Sequence, residues 1–504
     1  MSEDTAPTDG REPAAMSVRG AAAWAMAGQY LSFAMQFATS VVISRFFLTP
    51  AEVGLFSIAL AAALLVAILQ DFGLSRYISG LAVLDGREVA RCSSVALLFS
   101  LVVVAVIWAL AWPMAHIYAQ PALTPILLII GASYFFLPLT VVPMALMARA
   151  MQFRGHFAIN VGGAFTQGAV AVALAAAGES SFALAWATVA SAASRGIIAQ
   201  FLRPALPWPL RVDGARPVLS FGARSSVLYL TGALGTRSPD LILGKLLNLA
   251  AVGFYSRAAS LSDQFRTLIS GAIGSVFFPA FARIRDRGEP LGPAYLRVCA
   301  GYSAVIWPGM AGLALAADPL VRILYGEAWM RTAPLLTMIS LTEIMLIALP
   351  LVSDLPILLG RLNRLLAFNI ADTVLSIALL AFGCLWGLEG AAASRLVYGA
   401  LWLGLYARFI HGLVRFDVRA LLHIYARSAA ATLAAIAPLT LCYLFWTPPA
   451  QLGFAMLLAT TIAGVAAWLA TLFLLRHPAL DDLLGLASSL PFARTVANRL
   501  QAAR

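Results

Sequence analysis

Ser44-Arg45, then Ala51-Glu52-Val53-Gly54-Leu55-Phe56-Ser57, is answered about two hundred residues later by Gly244-Lys245, then Ala250-Ala251-Val252-Gly253-Phe254-Tyr255-Ser256. In each copy a basic residue closes one apolar run, and A-x-V-G, two large apolar residues and a serine open the next. The loops differ by one residue. Six apolar segments separate the copies, so both enter a membrane in the same sense. That arrangement is a parallel repeat, whose halves are related by a pseudo-two-fold axis along the membrane normal.

The composition supports a membrane setting. Of 504 residues 61% are hydrophobic and only 11% charged, where a soluble chain carries roughly 25% charged residues. Mean hydropathy is +0.87. Too little polar surface remains for a water-facing sphere, which excludes a soluble enzyme, a nucleic-acid-binding module and a disordered scaffold. The net charge of +11 has a different use in a membrane chain, where basic residues hold loops on the cytoplasmic side. Cys92, Cys299, Cys384 and Cys442 are far apart and show neither a metal spacing nor a disulfide framework.

A bilayer core about 30 Å thick takes about 20 apolar residues per helix, and about 14 such segments follow one another here. They run over 20–44, 52–80, 92–115, 122–148, 157–177, 181–202, 219–247, 250–284, 296–317, 332–359, 364–386, 388–411, 427–446 and 452–475. The expected architecture is an all-α integral membrane protein. A polar N-terminus (1–18) precedes a six-helix bundle (19–202), a cytoplasmic linker (203–218) and a second six-helix bundle (219–411). Helices 13 and 14 (412–475) and a basic tail (476–504) complete it. The first run is too long for a signal-peptide core and is read as a retained helix.

Arginines set the orientation. With a cytoplasmic N-terminus, the inner loops hold Arg76, Arg87, Arg91, Arg149, Arg154, Arg203, Arg283, Arg285, Arg287, Arg361, Arg408 and Arg419, among others. The outer ends hold only Arg45, Lys245, Arg322 and Arg331. Both termini are therefore expected inside, and the tail is expected to lie on the inner surface as an amphipathic helix.

Asp240-Leu-Ile-Leu-Gly-Lys-Leu-Leu, followed by Ala251-Val-Gly-Phe-Tyr-Ser-Arg-Ala258, resembles the polysaccharide-transport (Wzx-type) flippases of the multidrug/oligosaccharidyl-lipid/polysaccharide exporter superfamily. Phe278-Pro-Ala-Phe-Ala-Arg283 and Asp71-Phe-Gly-Leu-Ser-Arg76 fit the same pattern. The resemblance covers the topology throughout, with its sharp motifs in helices 1–2 and 7–8. It implies a bacterial inner-membrane protein that flips undecaprenyl-pyrophosphate-linked oligosaccharide to the periplasmic leaflet for surface or secreted polysaccharide, including lipopolysaccharide and exopolysaccharide. Polysaccharide polymerase and chain-length machinery are the candidate partners. No cofactor, metal, nucleic acid or enzymatic activity is expected.

Charges within spanning segments are costly unless paired or hydrated. Counting 1.5 Å per residue from the outer turn places Asp240 and Arg257 roughly 10 Å deep and Arg266 on the order of 24 Å deep. Arg237 and Asp240 share a helix face beside Pro239, and Asp263 lies one turn above Arg266. Asp240 is read first as a buried partner of Arg237 or Arg257, locking helices 7 and 8. Arg195, Arg266 and Arg395 are read as cavity lining, their planar forks suited to pyrophosphate or acidic sugars. The substrate-binding candidates are thus Arg195, Arg237, Arg257, Arg266 and Arg395. Asp71, Asp240, Asp263 and Asp372 are the coupling or structural acids, with Glu343 and Asp354 also intramembrane. Tyr229, Tyr255, Trp307, Tyr325, Trp329, Tyr398 and Trp402 are read as interfacial anchors, and all five histidines as structural.

Short outer connections leave no platform for a polymerase or ligase, and there is neither a G-x-x-x-x-G-K-[ST] phosphate loop nor an H-E-x-x-H motif. A drug/cation antiporter of the toxin-extrusion branch is the alternative because it shares the fold. Its cavity is expected to be acidic, whereas basic residues in helices 6, 7, 8 and 12 here match or exceed the nearby acids.

Overall fold

Long runs of Ala, Leu, Val and Ile leave helix as the conformation that satisfies its own backbone groups in lipid. Every regular element is helical in the computed structural model, which describes residues 18–68, 78, 85–206, 210 and 216–480. In chain order the helices are α1 (Val18–Phe46), α2 (Pro50–Ala67), α3 (Gly86–Ile117), α4 (Leu123–Ser133), α5 (Pro138–Arg149), α6 (Phe153–Ala176) and α7 (Ser180–Leu202). They continue as α8 (Arg216–Leu246), α9 (Leu249–Asp286), α10 (Leu291–Leu315), α11 (Ala317–Leu324), α12 (Thr332–Ile347) and α13 (Asp354–Leu358). The last are α14 (Leu362–Gly383), α15 (Gly387–Val414), α16 (Val418–Phe445) and α17 (Phe454–Leu474). Eight helical stretches among the described residues are long and apolar enough to cross a bilayer, or nine with the bent α4–α5 pair as one span. This is an all-α, multi-pass membrane protein. The charge-bearing α8 and α9 are not among those eight, although they run 31 and 38 residues. Asp71, the polar N-terminus to residue 17 and the tail from residue 481 lie outside the described residues, as does the side chain of Tyr229.

Two expected spans are broken. The run 122–148 divides at a 3-10 turn, Tyr134–Phe136, and bends by 40° into α5; Pro138, the first residue of α5, lacks the N–H a continuous helix needs there. The run 332–359 ends at Ile347, and Leu351 takes a left-handed φ of 59° before α13 starts. Pro350 and Pro356 explain why that stretch cannot stay one helix.

The chain divides into two compact units. One comprises residues 1–43, 66–116 and 120–227, and the other 44–65, 117–119 and 228–504. In the first, α6 and α7 pack as a tight hairpin through the Gly162-Gly163 pair. A Cβ at Gly162 would sit 2.5 Å from Ile198 Cδ1, one at Gly163 would overlap the stem of Arg195, and Ser191 Oγ donates to Gly163 O at 3.0 Å. Small residues are how membrane helices gain close van der Waals contact. In the second unit, Tyr295, Cys299, Leu365, Tyr398, Trp402, Tyr406, Ile410 and Phe416 form one buried core that ties α10, α14 and α15 together.

Also in the second unit, the two copies of the sequence motif meet each other. Thr49 and Glu52 form a capping box that starts α2: Thr49 N donates to Glu52 Oε2 at 2.7 Å. Asn248 caps α9 by accepting from Ala251 N at 2.9 Å. The first-turn carbonyl of each helix then lies against the glycine of the other. A Cβ on Gly54 would overlap Leu249 O, and one on Gly253 would overlap Pro50 O. Ser57 Oγ and Ser256 Oγ, equivalent in the repeat, hydrogen-bond at 3.0 Å. Around this junction Trp329 Nε1 donates to Ser44 O at 2.7 Å, Lys245 Nζ to Ile117 O at 2.8 Å, and Tyr118 OH to Leu241 O at 2.9 Å. Arg45 donates to Ile323 O at the end of α11.

Gly54→Ala and Gly253→Ala should each destabilise this junction by about 1–3 kcal/mol, because the added carbon meets backbone rather than a movable side chain. Gly404→Ala, whose Cβ would meet nothing within 4 Å, is the control. The melting temperature of the purified protein reads the effect; equal melting of all three variants would refute the close packing.

Candidate functional site

A polar cavity of about 440 Å³ opens within the second unit, walled by α8, α9, α12, α14 and α15. Gly232, Gly235 and Pro239 make the α8 wall thin, which leaves room for the longer side chains opposite. Arg266 on α9 is the hub of one charge cluster. It pairs with Asp263 one turn earlier, and its Nε lies 3.4 Å from Glu343 Oε2 on α12. The Glu343 side chain is 21% exposed against 61% for Asp263, so the longer-range partner is the more sequestered one.

Arg395 on α15 anchors the second cluster. Its Nη1 donates to Ser376 Oγ at 2.7 Å and its guanidinium lies 4.3 Å from the Tyr398 ring centre. Tyr398 OH donates to Asp372 Oδ1 at 2.9 Å, and Tyr406 OH to Asn369 Oδ1 at 3.0 Å. Tyr398, Trp402 and Tyr406 are spaced four apart and so line one face of α15, buried against the cavity wall. Tyr255 lines it from α9.

Tyr255, Tyr398 and Trp402 therefore depart from the interfacial-anchor expectation. Their helices turn that stripe inward, toward polar partners able to satisfy the hydroxyls. Tyr325 and Trp329 are likewise buried, at 3% and 1% exposure, and Trp307 packs on Tyr425 with ring centres 5.1 Å apart.

The cavity brings together four of the expected site residues: Arg266, Arg395, Asp263 and Asp372. Arg237 and Asp240 are half-buried on α8 beside it, and neither is among its lining residues. Arg257 sits outside the lining too, its guanidinium 5.9 Å from the Trp329 ring centre. Counting side chains, the lining holds two guanidiniums and three carboxylates. The arginine excess expected from the sequence is not a property of this cavity, because Glu343 and Asp372 come from helices distant in the chain. Arg195 lies in the first unit, in another cavity of about 440 Å³ bounded by α1, α6 and α7.

A third, apolar cavity of about 450 Å³ lies in the second unit among α10, α16 and α17. Gly309 and Gly312 line it from α10 and Gly464 from α17, with Phe265, Leu439 and Trp468 as larger walls. Of the histidines, His156 Nε2 bonds Met144 O at 2.9 Å and His477 Nε2 bonds Ser428 Oγ at 3.0 Å. His477, just beyond α17, is fully buried, and burial with the nearby Arg427 charge lowers its pKa to about 4.

A many-helix membrane protein with polar and apolar cavities inside its helical units is the architecture of a transporter-type fold. The profile of the polysaccharide biosynthesis protein family matches residues 42–334, and the chain belongs to that family. It is 22% identical over 342 residues to the lipopolysaccharide biosynthesis protein WzxC of Escherichia coli K12, covering 66% of this chain and 68% of WzxC. It is 24% identical over 329 residues to the succinoglycan biosynthesis transport protein ExoT of Rhizobium meliloti 1021, covering 64% and 65%. The lipid II flippase MurJ, in an inward closed conformation, shares the fold with a TM-score of 0.71 at 12% identity, over 89% of this chain and 97% of that one.

The Arg266 cluster makes a quantitative expectation. Arg266→Ala leaves two carboxylates facing each other, and Glu343→Gln in the same chain removes part of that repulsion. A double-mutant cycle on thermal or denaturant stability should give a coupling of about 1 kcal/mol, since both side chains retain some solvent access. Strict additivity would show that the 3.4 Å approach carries no energy.

Proposed function

We propose that the protein is an exporter rather than an enzyme: a flippase that moves undecaprenyl-pyrophosphate-linked oligosaccharide from the cytoplasmic to the periplasmic leaflet of the bacterial inner membrane, with both termini cytoplasmic. The carrying observation is the cavity of the second unit, where guanidiniums, carboxylates, hydroxyls, the Asn369 amide and an aromatic stripe meet inside a protein of this family. Guanidiniums suit phosphate and acidic groups; hydroxyl, amide and aromatic side chains suit sugar rings. The apolar cavity among α10, α16 and α17 suits a polyprenyl chain, which gains from each buried methylene. The names of the relatives WzxC and ExoT, tied to lipopolysaccharide and succinoglycan biosynthesis, support the substrate class.

The three carboxylates favour one feature of the rival reading, a bound cation. In the flippase reading that surplus is the coupling charge. Asp263 and Glu343 hold Arg266 while no substrate is present; an anionic group that takes Arg266 displaces them, and the freed carboxylates accept a proton or cation. Asp372 does the same through Tyr398 for Arg395. Alternating access would open the outer junction of α2 with α9 and close the inner side.

Deleting the gene should abolish a surface or secreted polysaccharide and leave lipid-linked repeat units in the inner leaflet. Normal polysaccharide with altered sensitivity to cationic compounds would instead establish the antiporter. In the complemented strain, a Ser57→Cys, Ser256→Cys pair should stop export when oxidised and restore it when reduced. Unimpaired export with the pair fully crosslinked would show that this junction never opens.

A further inference from the structure

We propose that the cavity of the first unit is a subsite for a carboxylated sugar, a uronic-acid-type residue of the transported glycan. This deepens the exporter reading and rests on it for its place in transport. Arg195 is the one guanidinium in the lining, and no carboxylate lines the cavity among the described residues. Its polar company is Gln29, Ser32, Gln36, Asn160 and His156, the last with its Nε2 already engaged by Met144 O, and Phe33 and Phe157 give it apolar walls. Two polar atoms here are buried without a hydrogen-bond partner, Arg195 Nε and Ser32 Oγ.

A half-buried guanidinium without a neutralising acid is costly in a membrane protein. An anion seated on its outer nitrogens offsets that cost through paired, charge-assisted hydrogen bonds. One guanidinium balances one negative charge, which matches a carboxylate and falls short of a diphosphate. Each side-chain amide brings both donors and an acceptor, the pattern that ring hydroxyls satisfy. The second unit's cavity differs on this point, since Arg266 there already pairs with carboxylates. Gly163 is the positioning residue: Arg195 lies flat across it, and a Cβ there would overlap Arg195 Nε and Cγ.

The test uses the purified full-length protein in lipid nanodiscs, with methyl glucuronide, methyl glucoside and inorganic pyrophosphate as probes titrated by saturation-transfer NMR. Methyl glucuronide should bind on the order of tenfold more tightly than methyl glucoside, the range expected for a charge-assisted hydrogen bond. Arg195→Gln should remove that preference and leave the glucoside unaffected, while Arg195→Lys keeps part of it. Gly163→Ala should weaken glucuronide binding without touching the ligand, and it guards against Arg195→Gln failing to fold. Equal binding of the two glycosides to the native protein overturns the proposal. So does a preference that survives Arg195→Gln, and so does pyrophosphate outcompeting the glucuronide at this site. Selective binding in a protein whose deletion leaves polysaccharide intact would sink the exporter reading alone; absent selectivity with export abolished would sink this subsite alone.

Discussion

Two backbone carbonyls lying against two glycines hold the N-terminal ends of α2 and α9 together. Leu249 O rests on Gly54 and Pro50 O on Gly253, with the Ser57–Ser256 hydrogen bond between them. The contact is reciprocal because equivalent residues of a repeat face one another, and it is close because neither glycine has a side chain. Such packing is an all-or-none fit: it is either seated or separated, with little in between. Hydrogen bonds from Trp329, Lys245, Tyr118 and Arg45 to nearby carbonyls reinforce it. Each of those is individually weak.

The cavity below follows a related logic, written in charge. Arg266 has two carboxylates and Arg395 has a hydroxyl, a ring face and, through Tyr398, an acid. Buried charges are tolerable when paired, so both arginines can wait inside the membrane without substrate. The same pairing makes anion binding an exchange rather than a simple addition. In the proposed exporter, whatever takes the guanidinium leaves a carboxylate to be neutralised by a second, positively charged species. The coupling proposed for this protein rests on the composition of the cavity, two guanidiniums to three carboxylates.

Much of this was legible in the chain. Helical class, membrane setting and family followed from the apolar runs and from the motif copies at Ala51–Ser57 and Ala250–Ser256. What the motif hid was its partner: a turn sequence shows how a helix begins, and the docking of Gly54 on Leu249 depends on residues two hundred positions away. The Arg266–Asp263 pair was visible as an i, i+3 spacing, whereas Glu343 reaches Arg266 across a helix boundary and leaves no local signature. Tyr398, Trp402 and Tyr406 carried a readable signal in their four-residue spacing, yet the same spacing serves a lipid-facing stripe, and only packing assigns the face. Gly163 had a cue as well, a glycine pair inside an apolar helix, which marks close helix contact but does not name Arg195 as the neighbour.

Arg195 and Arg395 looked alike in the sequence, each late in its half and without an acid nearby on its helix. Their surroundings set them apart. Arg395 donates to Ser376 and lies over an aromatic ring, so part of its binding capacity is taken up before any ligand arrives. Arg195 has a glycine beneath it, a buried Nε without a partner, and amides for company. A positive charge left incomplete in a protein this poor in polar surface is maintained against a standing energetic penalty. The two arginines therefore divide the work of one type of residue: one is a balanced wall of a cavity, and the other is an unbalanced point that an anionic group completes.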